Sequence, residues 1–282
     1  MSGRRLSVAT AVARATRRVS VLATASIVLS SLSPTARAER QTSTSAADLK
    51  LVIAVDVSTS MSDDEQRLQR EGYASALRSP DVMRTIKSGR RGRIAIAYFE
   101  WARPEYQRLI VPWTVIDGPA EAAAIADEIE RQPSVPQGGT SISAALLSAG
   151  RLLRTAELAS DREIVDVSGD GPNNSGPRLQ EARANLIRRG VTINGLAISL
   201  SDSRYDMIES FPLDFVESYY KHCVIVGFGA FVLAVGDRAD FARSIRLKLI
   251  AEIAESPEPA LTRQLARQDA AYSIADCDPR RR

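Results

Sequence analysis

Leu51-Val-Ile-Ala-Val-Asp-Val-Ser-Thr-Ser60 has two halves of opposite character. The first five residues are apolar and mostly β-branched, with no polar alternation. Such a run reads as a strand buried on both faces, as in the middle of a parallel sheet. It then switches to Asp56, Ser58 and Ser60. Spaced by two, these side chains leave an extended chain on the same side. One carboxylate and two hydroxyls form an oxygen-only cluster, the donor type that hard divalent cations prefer over nitrogen or sulfur. In open α/β sheets ligands gather at the carboxyl ends of the strands, where this cluster falls. Asp and Ser after a strand are also ordinary turn and capping residues, so the cation reading depends on what other loops bring to that end.

Beyond Ser60, strands and helices alternate. Ser62-Asp-Asp-Glu65 opens a helix that runs to about Arg78, ahead of Ser79-Pro80. A short helical turn follows over 81–87, then a basic turn, Gly89-Arg-Arg-Gly92, that reads as a solvated loop. Strands are predicted over 93–100 and 107–113. The loop between them is too short for a parallel crossover, so they form an antiparallel hairpin, and Pro112 places it at a sheet edge. Helices are predicted over 118–130 and 142–154, a strand over 161–168, a helix over 176–189 closed by Gly190, and a strand over 191–200. A helical stretch around 203–211, an irregular region to Gly229, a strand at 231–235 and a helix over 238–254 complete the pattern. The expected fold is a doubly wound, mostly parallel α/β sheet with one antiparallel edge strand.

The ends differ in composition from this core. Residues 1–38 hold six arginines and no acid, and without them 31 basic residues face 34 acidic ones. The formal charge of +3 therefore belongs to the leader, and nothing in the remainder suggests a nucleic-acid partner. Arg17-Arg18, an apolar stretch from Val19 to Leu32, and Ala36-Arg-Ala38 have the layout of a cleaved secretory signal. The paired arginines also fit a twin-arginine route, although Ser20 falls where that signal prefers an apolar residue. The boundaries read as signal peptide 1–38, linker 39–49, a domain over 50–255 and a tail over 256–282. The mature chain holds no segment long and apolar enough to span a bilayer, so it is expected in the periplasm or secreted. Cys223 and Cys277 are the only cysteines; they pair in an oxidising compartment or stay as two separate thiols.

Two further polar groups fall in predicted loops. Thr140 follows Gly138-Gly139, which let backbone approach closely, and Asp170 sits between Gly169 and Gly171. With Asp56, Ser58 and Ser60 they make a five-group oxygen shell from three loops. The order Asp-x-Ser-x-Ser, a distant Thr, then a distant Asp resembles the metal-ion-dependent adhesion site of von Willebrand factor type A domains, over roughly residues 50–255. Asp166-Val-Ser-Gly-Asp-Gly-Pro-Asn-Asn174 and the Gly-x-Gly-Ala-Phe-Val pattern at 227–232 bring it closer to a bacterial family of exported proteins of unknown function (domain of unknown function 1194). The resemblance implies that Asp56, Ser58, Ser60, Thr140 and Asp170 hold Mg2+, with Mn2+ or Ca2+ as alternatives. It also implies a protein partner that supplies an Asp or Glu carboxylate to the metal, and no catalysis.

Other chemistries find little support. His222 is the only histidine, which excludes a His-Glu-x-x-His site. There is no phosphate-binding Gly-x-x-x-x-Gly-Lys loop, and Gly227-Phe-Gly229 lacks the setting of a dinucleotide fingerprint. Glu100 and Trp101 border the cluster or lie on a solvated edge. The competing function is a Mg2+-dependent phosphoryl-transfer hydrolase, because Asp-rich strand ends also hold Mg2+ for hydrolysis. That chemistry needs a base beyond the ligands, and Asp166, the nearest acid along the strand, is expected to point elsewhere.

Overall fold

The computed structural model describes residues 46–200, 211–254 and 277–278. Six strands form one sheet: β1 (Ala46–Asp56), β2 (Ile94–Trp101), β3 (Gln107–Ile116), β4 (Ala159–Gly169), β5 (Thr192–Ile198) and β6 (Val232–Val235). Their spatial order is β3-β2-β1-β4-β5-β6. Neighbours run parallel except β2 and β3, whose register pairs Ile94 with Ile116 and Trp101 with Gln107. The expected edge hairpin is therefore present. Pro112 lies in β3, an edge strand that can spare an N–H.

The helices are α1 (Asp63–Leu77), α2 (Pro80–Ser88), α3 (Pro119–Glu130), α4 (Ile142–Thr155), α5 (Leu179–Ile187), α6 (Leu213–Tyr219) and α7 (Arg238–Ile253). Ser62 and Glu65 form a reciprocal capping box at the start of α1, as the acidic first turn suggested. Residues of α1, α2, α3 and α7 pack on one face of the sheet, those of α4, α5 and α6 on the other. The two-residue period of β1 serves both layers: Leu49, Leu51, Ile53 and Val55 enter the first, Val52 and Ala54 the second. Burial on both sides is why the strand reads as one apolar run.

Two sequence expectations need correction, and one open alternative is decided. β1 begins at Ala46, inside the residues read as linker. Asp48 and Lys50 disguise it, because both are buried charges. Asp48 accepts a hydrogen bond from the Arg91 backbone at 2.8 Å, which also ties down the basic turn, and Lys50 pairs with Glu163 at 2.6 Å. The irregular region after residue 211 contains α6, followed by a π-helical turn at Tyr220–Val224. Seven residues are too few for helical periodicity to stand out. Cys223 and Cys277 are bridged, so the two-thiol alternative falls. The leader, the helical stretch expected near 203–211 (Phe211 apart) and all of the tail except 277–278 lie outside the described residues.

From β1 the chain winds outward to β2 and β3, and its next strand, β4, lies on the opposite side of β1. The boundary between β1 and β4 is thus the topological switch point, and the crevice at its carboxyl end is where sheets of this kind bind ligands.

Candidate metal centre

Asp56 is the last residue of β1 and is fully buried. Its Oδ1 accepts a hydrogen bond from the Ser58 N–H at 2.8 Å, which turns the chain away from the sheet. The hydroxyls of Ser58 and Ser60 are then 3.0 Å apart. Ser60 donates to Oδ1 of Asp170 at 2.9 Å, just past the end of β4. Asp56, Ser58, Ser60 and Asp170 are therefore linked across the switch point.

Thr140 joins through its backbone. Its loop is fastened to the β1 loop where Thr59 donates to Gln137 O at 3.0 Å and Gln137 donates to Val57 O at 3.0 Å. On its other side, Thr140 donates its N–H to Asn174 Oδ1 at 2.7 Å, and Asn174 returns its N–H to Thr140 O at 2.8 Å. Asn173 Oδ1 accepts from the Ser143 N–H at 3.0 Å, at the start of α4. Two asparagines thus staple the loop of Thr140 to the loop of Asp170. Gly138 and Gly139 differ from expectation. Nothing lies within 4 Å of where a Gly138 Cβ would be, whereas Gly139 is required by its φ of +84°.

The electrostatics suit a cation. Asp56 Oδ2 is buried with no hydrogen-bond partner. Burial, and then the charge of Asp170, push the Asp56 carboxyl well above its ordinary range. Burial likewise raises Asp170 to about 6, against the pull of the Ser60 hydroxyl. Two carboxylates that repel each other in one crevice, one buried with an unused oxygen, fit a positive ion between them. Among the described residues no three His, Cys, Asp or Glu side chains gather to hold a metal, so hydroxyls must complete any ligand set here.

Several neighbours escaped the sequence reading. Gln69 of α1 donates to the Asp56 carbonyl at 3.1 Å and accepts from the Ser168 hydroxyl at 2.9 Å, bracing the ends of β1 and β4. Tyr220, in the π-helical turn, reaches the same crevice. A methyl placed on Gly169 would stand 2.4 Å from its hydroxyl and 2.8 Å from Asp56 Oδ2. Asn173 and Asn174 stood out in the sequence only as the end of the family-like run 166–174, with no role of their own. Glu100 is neither at the site nor solvated: it is buried and pairs with Arg70 at 2.7 Å, beside a fully buried Trp101. Asp166 does point elsewhere. It enters the core, where Tyr73 donates to it at 3.0 Å and Lys248 pairs with it at 2.5 Å.

Residues 46–257 match the model of a family described as a protein of unknown function, DUF1194. The chain belongs to the DUF1194 family. Among solved structures, this DUF1194 protein is similar to a von Willebrand factor type A protein from Catenulispora acidiphila (18% identity, TM-score 0.51, covering 74% of this chain and 43% of that one). It also resembles proximal thread matrix protein 1 of the mussel byssus (15% identity, TM-score 0.53, 73% and 48% covered). A third similar structure is the pilus adhesin SpaC of Lactobacillus rhamnosus GG (14% identity, TM-score 0.51, 73% and 30% covered). The DUF1194 chain thus has the fold of a von Willebrand factor type A domain and spans less than half the length of these structures. No curated protein matches its sequence.

Proposed function

We propose that this DUF1194 protein is a divalent-metal-dependent binding module that grips a protein partner outside the bacterial cytoplasm. The observation that carries the reading is the donor set at the switch point: two carboxylates, the hydroxyls of Ser58 and Ser60, and a buried Asp56 oxygen without a partner. Asp56, Ser58, Ser60, Thr140 and Asp170 would hold the ion. Mg2+ suits hard oxygen donors best, with Mn2+ and Ca2+ as alternatives. With neutral hydroxyls as ligands, and Asp56 and Asp170 acting largely through water as the family resemblance implies, the bound ion would keep enough positive charge to attract an outside anion. Ser60 stands exposed at the mouth while Asp56 and Ser58 form the buried floor, so the crevice opens toward solvent on the side a partner would approach. An Asp or Glu carboxylate on the partner is the fitting anion.

Binding is favoured over hydrolysis by what surrounds the shell. Asp166, the nearest further acid on β4, is engaged by Tyr73 and Lys248 in the core. His222 Nδ1 faces the Ser218 carbonyl at 2.8 Å. Export is supported by the buried Cys223–Cys277 bridge, which belongs to an oxidising compartment, and by the leader-like first 38 residues. No helix among the described residues is long and apolar enough to cross a membrane.

Calorimetric titration with Mg2+, Mn2+ and Ca2+ tests the metal. Uptake is expected in the wild type and lost in Asp56→Ala and Asp170→Ala, with circular dichroism unchanged. Capture of a partner from envelope extracts should require Mg2+ and fail both in chelator and with Asp56→Ala. Equal capture in chelator, or Mg2+-dependent turnover of phosphate esters that Asp56→Ala abolishes, would overturn the proposal.

A further inference from the structure

Tyr220 is a fully buried tyrosine whose hydroxyl has no hydrogen-bond partner, a costly arrangement unless the group has a use. Two glycines open its path. At Gly195 of β5 a Cβ would lie 2.7 Å from the Tyr220 ring, so only a bare backbone lets the ring lie across the sheet there. At Gly169 of β4 a Cβ would collide with the hydroxyl and with Asp56 Oδ2 at once. The hydroxyl therefore ends in the same small gap as the other buried, partnerless oxygen of the crevice. Strand alternation explains the meeting. Val52 and Ala54 of β1 and Val165 and Val167 of β4 pack with the Tyr220 layer, and Asp56 and Gly169 continue those two rows. The backbone brings Tyr220 there through a π-helical turn, a local widening of the helix often found at functional sites.

Resting on the cation reading above, we propose that Tyr220 is a positioning residue of the metal centre: its hydroxyl donates to Asp56 Oδ2, directly or through one bridging water, when the ion is held. The carboxylate then offers a fixed oxygen to the metal. This hydroxyl is not part of the five-residue pattern, and it enters from the opposite layer to Gln69, which holds the Asp56 carbonyl. Asp56 is thereby gripped from both faces of the sheet.

The test is a near-ultraviolet difference spectrum on adding Mg2+, paired with calorimetry, for wild type and Tyr220→Phe. The phenylalanine variant keeps the ring and removes one oxygen, and the wild-type spectrum needs no variant at all. Expected are a tyrosine band on Mg2+ uptake that is missing in Tyr220→Phe, and a dissociation constant raised about tenfold in the variant, as for one lost hydrogen bond to a charged group. Tyr219→Phe, one residue away, should keep the band. Wild-type Mg2+ uptake without a band, or with an unchanged constant in Tyr220→Phe, would overturn this inference and leave the cation reading standing. No Mg2+ uptake by the wild type would overturn both.

Discussion

Gly169 shows how much of the centre rests on a missing side chain. It separates Asp56 from Tyr220, and no larger residue leaves room for both. Gly169→Ala should therefore wedge a methyl between the two oxygens. The expected result is Mg2+ affinity reduced at least tenfold, together with an overpacking loss of about 1–3 kcal/mol in a denaturant titration. Wild-type affinity in the variant would mean that the gap is not used. Residues in this crevice were unequally legible in the sequence. Asp56, Ser58 and Ser60 share one strand end, so a two-residue period suffices to group them. Asp170 is marked by a comparable strand-to-loop switch. Tyr220 carries no such mark, because its relation to Asp56 exists only after the strands of the second half have been laid beside the first.

At the scale of elements, regular strands and long helices follow from periodicity, whereas the segment from α6 to the bridge does not. Its helix is short, its turn is of π type, and its value lies in three contacts. The Tyr219 hydroxyl accepts from the Asn173 N–H at 3.1 Å and donates to the Cys277 carbonyl at 2.8 Å, while Cys223 holds Cys277 covalently. The bridge thus backs the loop whose asparagines fix Thr140. Reduction with a dithiol, which converts the bridge to two thiols, should lower stability by roughly 4 kcal/mol, as expected for a closed loop of 54 residues. It should also speed hydrogen exchange at the amides of Asn173 and Thr140. The denaturation midpoint and the exchange rates check this, and no change in either would separate the bridge from the loops.

Across the whole molecule, the most unusual feature of the core is its charge. Lys248 of α7 pairs with Asp166 of β4 and with Glu252, whose Oε1 also accepts from Asn194 of β5 at 3.2 Å. All four are buried, and Tyr73 of α1 completes the cluster through Asp166. This cluster is not legible in the sequence, because a Lys and a Glu four residues apart on a helix have the pattern of a solvated ion pair, and their strand partners are far away along the chain. Burial, then the charge of Asp166, raise Glu252 from 4.5 to about 7. The folded chain thus keeps a proton that the unfolded chain releases from about pH 4.5 upward. This contribution to stability is complete below about 4.5 and lost as pH climbs to 7, on the order of 3 kcal/mol. Asp56 and Asp170 act in the same direction in metal-free protein, so the useful quantity is a difference. Urea midpoints between pH 4.5 and 7.5 should decline less steeply in Glu252→Gln than in wild type. Parallel slopes would remove Glu252 from the account.

β1 lies between two parallel neighbours, with Asp56 at one end and Ala46 at the other. Arg162, which pairs with Leu49 near that far end, donates to the carbonyls of Glu252, Ile253 and Ala254, so α7 finishes there as well. A pull applied between the Asp56 end and the Ala46 end would run along the axis of β1. Two ladders of hydrogen bonds would then be loaded in shear, and all would have to slip together. An edge strand pulled sideways would instead unzip one bond at a time. A load applied at the end of this inner strand would therefore meet more resistance than one applied to an edge strand of the same sheet.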